Sequence, residues 1–133
     1  MRQAVVMLLC LALTGCGSSE PADEPSPATE LRIVLWPTGR DGEKIEAALT
    51  CEPAGGTHPH AAGACAALAR ERDALDPVPP DTMCTQEFGG PEEADVTGTV
   101  DGERVEARLA RTNGCELDRW HRLEPLLSLS KPT

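Results

Sequence analysis

Leu31, Ile33 and Leu35 alternate with Arg32, Val34 and Trp36. A period of two predicts a strand, and Pro37 with the Gly39-Arg40-Asp41-Gly42 turn region ends it. Ile45, Ala47, Leu49 and Cys51 alternate in the same way with Lys44, Glu46, Ala48 and Thr50. This second strand is a plausible hairpin partner of the first and carries Cys51 on its inward face. Glu52-Pro53-Ala54-Gly55-Gly56 reads as a turn. From Ala61 to Leu75 the period changes. Ala61, Cys65, Leu68, Ala69 and Leu75 fall mostly on one helical stripe, with Arg70 to Asp73 on the wet side. Thr57 is placed to cap this helix, with Pro59 near its first turn. Pro77, Pro79 and Pro80 stop it.

Met83-Cys84-Thr85-Gln86-Glu87-Phe88-Gly89-Gly90-Pro91 fits neither period. It reads as a loop led by a cysteine, tied at one end by a disulfide and closed by a Gly-Gly-Pro breaker. Val96, Gly98 and Val100 then alternate with Thr97 and Thr99. Asp101-Gly102 is a two-residue hairpin signal, and Val105, Ala107 and Leu109 continue the alternation on its far side. Asn113-Gly114 makes another turn. The order strand, strand, helix, loop, strand, strand predicts an α+β fold, an antiparallel sheet with a helix packed on one face. The segment from His121 to Thr133 is open to two readings, a short helix broken by Pro125 or a loose end.

Composition sharpens this picture. The chain has 133 residues, room for one domain, and a net charge of −10, which argues against nucleic acid as a partner. Aromatic residues make up 2%, so Leu, Val and Ala must build most of the core. A small domain with light core residues calls for covalent staples, and six cysteines supply candidates.

At the N-terminus Met1-Arg2-Gln3 precedes an apolar run from Ala4 to Leu13, too short to span a bilayer and suited to a signal peptide. Leu13-Thr14-Gly15-Cys16 resembles a bacterial lipobox, in which the cysteine becomes the first mature residue and carries lipid. The expected organisation is a lipoprotein signal peptide over 1–15, a flexible Ser-, Pro- and acid-rich tether over 16–30, a domain over 31–123 and a tail over 124–133. Cys10 would leave with the signal and Cys16 would be lipidated. Cys51, Cys65, Cys84 and Cys115 then remain for two disulfides in an exported protein, and three pairings are open.

Leu49-Thr50-Cys51, Gly56-Thr57-His58-Pro59, Ala62-Gly63-Ala64-Cys65, Met83-Cys84, Val100-Asp101-Gly102, and Asn113 with Cys115-Glu116 occur in this order. Together they resemble the Streptomyces subtilisin inhibitor family of secreted serine protease inhibitors, over Leu31 to Trp120. The resemblance implies a five-stranded antiparallel sheet with helices on one face, and the pairings Cys51–Cys65 and Cys84–Cys115. It implies a substrate-like reactive loop of Cys84, Thr85, Gln86, Glu87 and Phe88, with the scissile bond at Gln86–Glu87 and Gln86 entering the specificity pocket. Asn113 matches an asparagine that supports the loop from beneath. Gln86 is neither basic nor strongly apolar, so trypsin-like enzymes with an acidic pocket are expected to be poor targets. The implied partners are an extracellular subtilisin-like serine protease and, as in the family, a second copy of the chain. The implied location is the outer face of the cell membrane, through the lipid on Cys16, or the medium.

Other chemistries fit less well. His58, His60, Cys51 and Cys65 have no standard zinc spacing. Glu92, Glu93 and Asp95 read as a solvated rim, and Trp36 and Trp120 as packing residues. No nucleophile stands with a base, so neither an enzyme nor a cofactor is expected. The competing function is a non-inhibitory cell-surface binding lipoprotein on the same scaffold.

Overall fold

The structure, a computed structural model, describes residues 26–130 together with Gly15 and Gly17. The expected signal peptide up to residue 14, the expected lipidation site Cys16 and most of the expected tether lie outside the described residues.

The strand β1 (Thr29–Trp36) pairs antiparallel with β2 (Ile45–Cys51) on one side and with β4 (Glu93–Val100) on the other. The strand β5 (Glu103–Ala110) extends the sheet beyond β4, and β3 (Gly55–Gly56) adds two residues beyond β2. The order across the five-stranded sheet is β3-β2-β1-β4-β5. Because alternate side chains share a face, Ile33 lies opposite Ala47 and Val96, and Leu31 opposite Leu49, all on the buried side. The Asp101-Gly102 turn has φ of 50° and 81°, the left-handed pair that a tight hairpin between β4 and β5 requires.

The helix α1 (Ala61–Glu71) continues as a 3₁₀ turn (Arg72–Leu75), so the predicted helix over 61–75 forms with a tightened end. It packs on the buried face through Ala64, Ala67 and Leu68. Thr57 does not cap it. Its Oγ1 accepts from the Ala48 amide at 2.8 Å, which serves the β2–β3 edge instead. The helices α2 (Gly114–Arg122) and α3 (Glu124–Leu127) complete the layer with Leu117, Trp120, Leu126 and Leu127.

Two boundaries move. Thr29 and Glu30 belong to β1 rather than to the tether. Thr29 is buried, its Oγ1 accepts from the Asp101 amide at 3.1 Å, and the Gly102 amide donates to the Ala28 carbonyl at 2.8 Å. At the other end the domain does not stop at residue 123. Leu126, Leu127 and Leu129 are buried, and Pro125 stands in the first turn of α3, where its missing N–H costs no helical bond. The imidazole of His58, 5% exposed, fastens this segment: Nδ1 accepts from the His60 amide at 2.9 Å and Nε2 donates to the Leu126 carbonyl at 2.8 Å.

The opposite face of the sheet is open and charged. Arg40 pairs with Asp95 at 2.6 Å and Glu93 at 3.1 Å while lying 4.4 Å over the Trp36 ring, and Arg32 pairs with Glu46 at 2.7 Å. Glu93 and Asp95 thus stand on this solvated face as strand residues held by Arg40. Trp36 is half-buried in sheet packing, and Trp120 sits in the core.

Candidate reactive loop

The chain leaves the 3₁₀ turn at Asp76 and runs without regular structure to Glu92. From Thr85 to Glu92 its neighbour is the corner Arg111–Gly114, which links the end of β5 to the start of α2. Asn113 sets this corner. Its backbone is extended at φ −157°, and its Oδ1 accepts from the Glu116 amide at 3.0 Å, the bond of a helix N-cap. A helix starting there directs the Gly114 amide and Cys115 toward the loop.

Three attachments hold the loop to the corner. Cys84 and Cys115 form a disulfide with Cα atoms 5.4 Å apart, and Cys51 pairs with Cys65, as the resemblance implies. The Gly114 amide donates to the Thr85 carbonyl at 3.1 Å. The Gly89 amide donates to the Arg111 carbonyl at 2.7 Å. The two hydrogen bonds bracket Gln86, Glu87 and Phe88, which arch over the corner with exposed side chains, Phe88 at 67%. Met83, just before the disulfide, is 97% exposed. With Ile45 in β2, these two are the exposed large hydrophobic side chains among the described residues.

The glycines at this site are close-approach residues. A Cβ on Gly114 would meet Thr85 Oγ1, and one on Gly89 would meet Leu117 Cδ2. Gly90, at φ 148°, lies over the Glu92 carboxylate. Gly89 therefore lets the backbone press onto α2 and Gly90 lets it pass over Glu92, where the sequence suggests only a breaker.

The charges beside the arch are arranged so that the cations are engaged internally. Arg122 bonds Glu71 and Asp73, each at 2.6 Å, and its hydrogen bond holds the Asp73 carboxyl below the usual carboxylate range. Arg119, 6% exposed, donates to the carbonyls of Ala74, Leu75 and Arg108 and to Glu116. Glu87 forms no ion pair among the described residues. A groove of about 590 Å³ between residues 77–85 and α2 is lined by Val78, Met83, Glu87, Asp118 and Arg122. The larger trough, about 880 Å³, lies away from the loop on the open face of the sheet.

The structure brings Cys84, Thr85, Gln86, Glu87, Phe88, Asn113 and Cys115 to one corner. Cys51 and Cys65 instead join the end of β2 to α1. The side chain of Asn113 caps α2, and the hydrogen bonds that reach the loop come from its backbone neighbours Arg111 and Gly114. Sequence reasoning missed α2 with Arg111, Leu117 and Arg119. The spacing Asn113-x-x-Glu116 ahead of Leu117 and Trp120 is the signal that would have found the helix.

A family model described as subtilisin inhibitor-like matches residues 28–113. A Streptomyces avermitilis protein named as a serine protease inhibitor is 32% identical over 114 residues, covering 84% of this chain and 77% of its own. Protease inhibitor SIL-V5 of Streptomyces luteoverticillatus is 38% identical over 73 residues, covering 52% of this chain and 67% of its own. Among solved structures, Streptomyces caespitosus sermetstatin, in complex with Bacillus licheniformis subtilisin, is 21% identical with a TM-score of 0.48, over 74% of this chain and 96% of that one. The chain belongs to the subtilisin inhibitor-like family.

Proposed function

We propose that the protein inhibits subtilisin-like serine endopeptidases by presenting Gln86–Glu87 as a substrate-like bond that is cut slowly and resealed. The observation that carries this reading is the bracketed arch. Gln86 to Phe88 project into solvent while Thr85 and Gly89 are hydrogen-bonded to the Arg111–Gly114 corner and Cys84 is covalently joined to Cys115. A segment already clamped at both ends loses little conformational freedom on entering a cleft, so more of the contact energy appears as affinity.

In the bound complex Gln86 fills the primary pocket, Thr85 and Cys84 lie along the non-primed side, and Glu87 and Phe88 along the primed side. The protease serine oxygen attacks the Gln86 carbonyl carbon. The bond to the Glu87 nitrogen breaks, and that nitrogen leaves as an amine with a proton from the protease histidine. The corner keeps the amine beside the acyl carbon. It attacks in reverse and expels the serine oxygen, which regains its proton.

The location belongs to the same proposal. Residues 1–15 act as a lipoprotein signal, Cys16 carries lipid, and the domain stands off the outer face of the membrane on its tether. A second copy would pack on the open face of the sheet, where Arg32 pairs with Glu46 and Arg40 with Asp95.

The full chain, assayed against a panel of serine proteases, is expected to give slow, tight inhibition of a subtilisin. Gln86→Pro or Glu87→Pro is expected to abolish it. A folded chain that inhibits no member of the panel sinks the reading. For the anchor, Cys16→Ala should release the protein from the membrane fraction.

A further inference from the structure

Glu92 stands in an acidic run that the sequence assigns to a solvated rim. In the structure its carboxylate lies beneath Gly90, and a Cβ on Gly90 would meet Glu92 Oε2. Arg111 Nη1 donates to Glu92 Oε1 at 2.9 Å, with the two side chains 24% and 30% exposed. The Arg111 guanidinium stands 5.9 Å from the Trp120 ring centroid. The carbonyl of the same arginine receives the Gly89 amide, and its Cβ lies 3.4 Å from where a Gly89 Cβ would sit. Arg111 thus meets the far end of the arch twice, with its backbone at Gly89 and with its side chain through Glu92 under Gly90.

We propose that Arg111, through its ion pair with Glu92, is the positioning residue for the Glu87 side of the reactive loop. This rests on the inhibitor reading above. The disulfide fixes the Cys84 side. Once Gln86–Glu87 is cut, the Glu87 amine is held only by the short run through Gly89 and Gly90 into β4, and its effective concentration at the acyl carbon depends on how still that run is kept. Glu92 Oε2 and Arg111 Nε are both buried and have no partner among the described residues, so the pair depends on its single Nη1–Oε1 bond. Without the guanidinium a partly buried carboxylate has no cation, and it turns out to water. That removes the floor under Gly90 and slackens the Gly89 bond.

The test compares the full chain with Arg111→Met, Glu92→Gln and Arg111→Lys. Amide hydrogen exchange is read first, with no protease present. Gly89 is expected to exchange about tenfold faster or more in Arg111→Met, with Gly114 and the thermal midpoint little changed, and Arg111→Lys is expected to recover most of the protection. Glu92→Gln makes the same comparison if Arg111→Met fails to fold. With a catalytic amount of subtilisin, cutting at Gln86–Glu87 should speed by about tenfold and the equilibrium ratio of cut to intact chain should rise. A general loss of stability would not move that ratio. Unchanged exchange at Gly89 overturns the proposal, and so does faster exchange with unchanged cutting. If the parent chain inhibits nothing, the inhibitor reading fails, and the exchange arm still decides whether Arg111 holds the loop.

Discussion

The backbone of Gly89 lies directly on the side chain of Leu117, so close that a Cβ at residue 89 would meet Leu117 Cδ2. The arch is therefore seated on α2 by a close contact that any larger residue at 89 would force Leu117 to yield. Gly89→Ala is expected to lift the Gly89 amide off the Arg111 carbonyl and to destabilise the fold by about 1–2 kcal/mol through overpacking. Inhibition of a subtilisin should weaken by about tenfold or more as the arch loses its far clamp. Gly63→Ala is the control. Gly63 lies in α1 with nothing within 4 Å of its Cβ position, and alanine there should raise stability by up to about 1 kcal/mol. Thermal unfolding and a titration against subtilisin check both variants.

Arg119 is the buried cation of the site's foundation. Its guanidinium bonds the Ala74 carbonyl at 2.9 Å, the Leu75 carbonyl at 3.3 Å, the Arg108 carbonyl at 3.2 Å and Glu116 at 2.8 Å. It ties α2 to both the 3₁₀ turn and β5. Arg119→Met keeps the bulk and leaves those acceptors without a donor, an expected loss of about 3 kcal/mol in urea unfolding. Arg122→Met, which removes partly exposed ion pairs, should cost under about 1 kcal/mol.

The long strands and α1 were legible because their periods are clean: Leu31, Ile33 and Leu35, or Val105, Ala107 and Leu109, can share a face only in an extended chain. The edge strand β3 is two glycines, with no side-chain period to detect. In α2 the apolar stripe is reduced to Leu117 and Trp120 among Glu116, Asp118, Arg119, His121 and Arg122, so the capping residue was the stronger clue. Pro125 reads as a breaker unless it falls in a first turn, as it does. At the site, the arch itself was readable from its polar residues and glycines. Its disulfide tie was readable as well, but its two hydrogen-bond clamps were not, because the Arg111 carbonyl and the Gly114 amide are backbone groups that every residue carries, and only the fold brings them to Gly89 and Thr85.

The Cys84–Cys115 bridge closes a loop of 31 residues that contains the arch. Replacing both cysteines by serine should cost about 3.5 kcal/mol by chain entropy. The larger effect is expected on function. Without the bridge the Thr85 end is held by one hydrogen bond, from Gly114, and the cut product can drift apart. The variant should behave as a substrate, with inhibition of subtilisin fading over the assay as Gln86–Glu87 is cut. Mass spectrometry of the reaction separates this from simple unfolding, which would give cuts at many bonds.

His58 gives the fold an acid-sensitive fastening. Burial lowers its pKa below the usual histidine value. The Leu126 bond opposes that shift, and the neighbouring His60, with ring centroids 6.4 Å apart, adds to it. With Nδ1 accepting from His60 and Nε2 donating to Leu126, the neutral ring is fully bonded, and a second proton would displace the His60 amide. The unfolded chain takes up its proton near pH 6.5, while the folded chain does so only at lower pH. Stability is therefore fully present above the unfolded value and declines as pH falls from there toward the folded pKa. Thermal midpoints measured from neutral to mildly acidic pH should drop more steeply for the parent than for His58→Gln, which keeps a donor and an acceptor but does not titrate. Parallel slopes would assign the acid sensitivity to other groups. Because α3 and Leu129 are what His58 fastens, hydrogen exchange in residues 123–130 should accelerate first, ahead of the sheet and of the reactive loop.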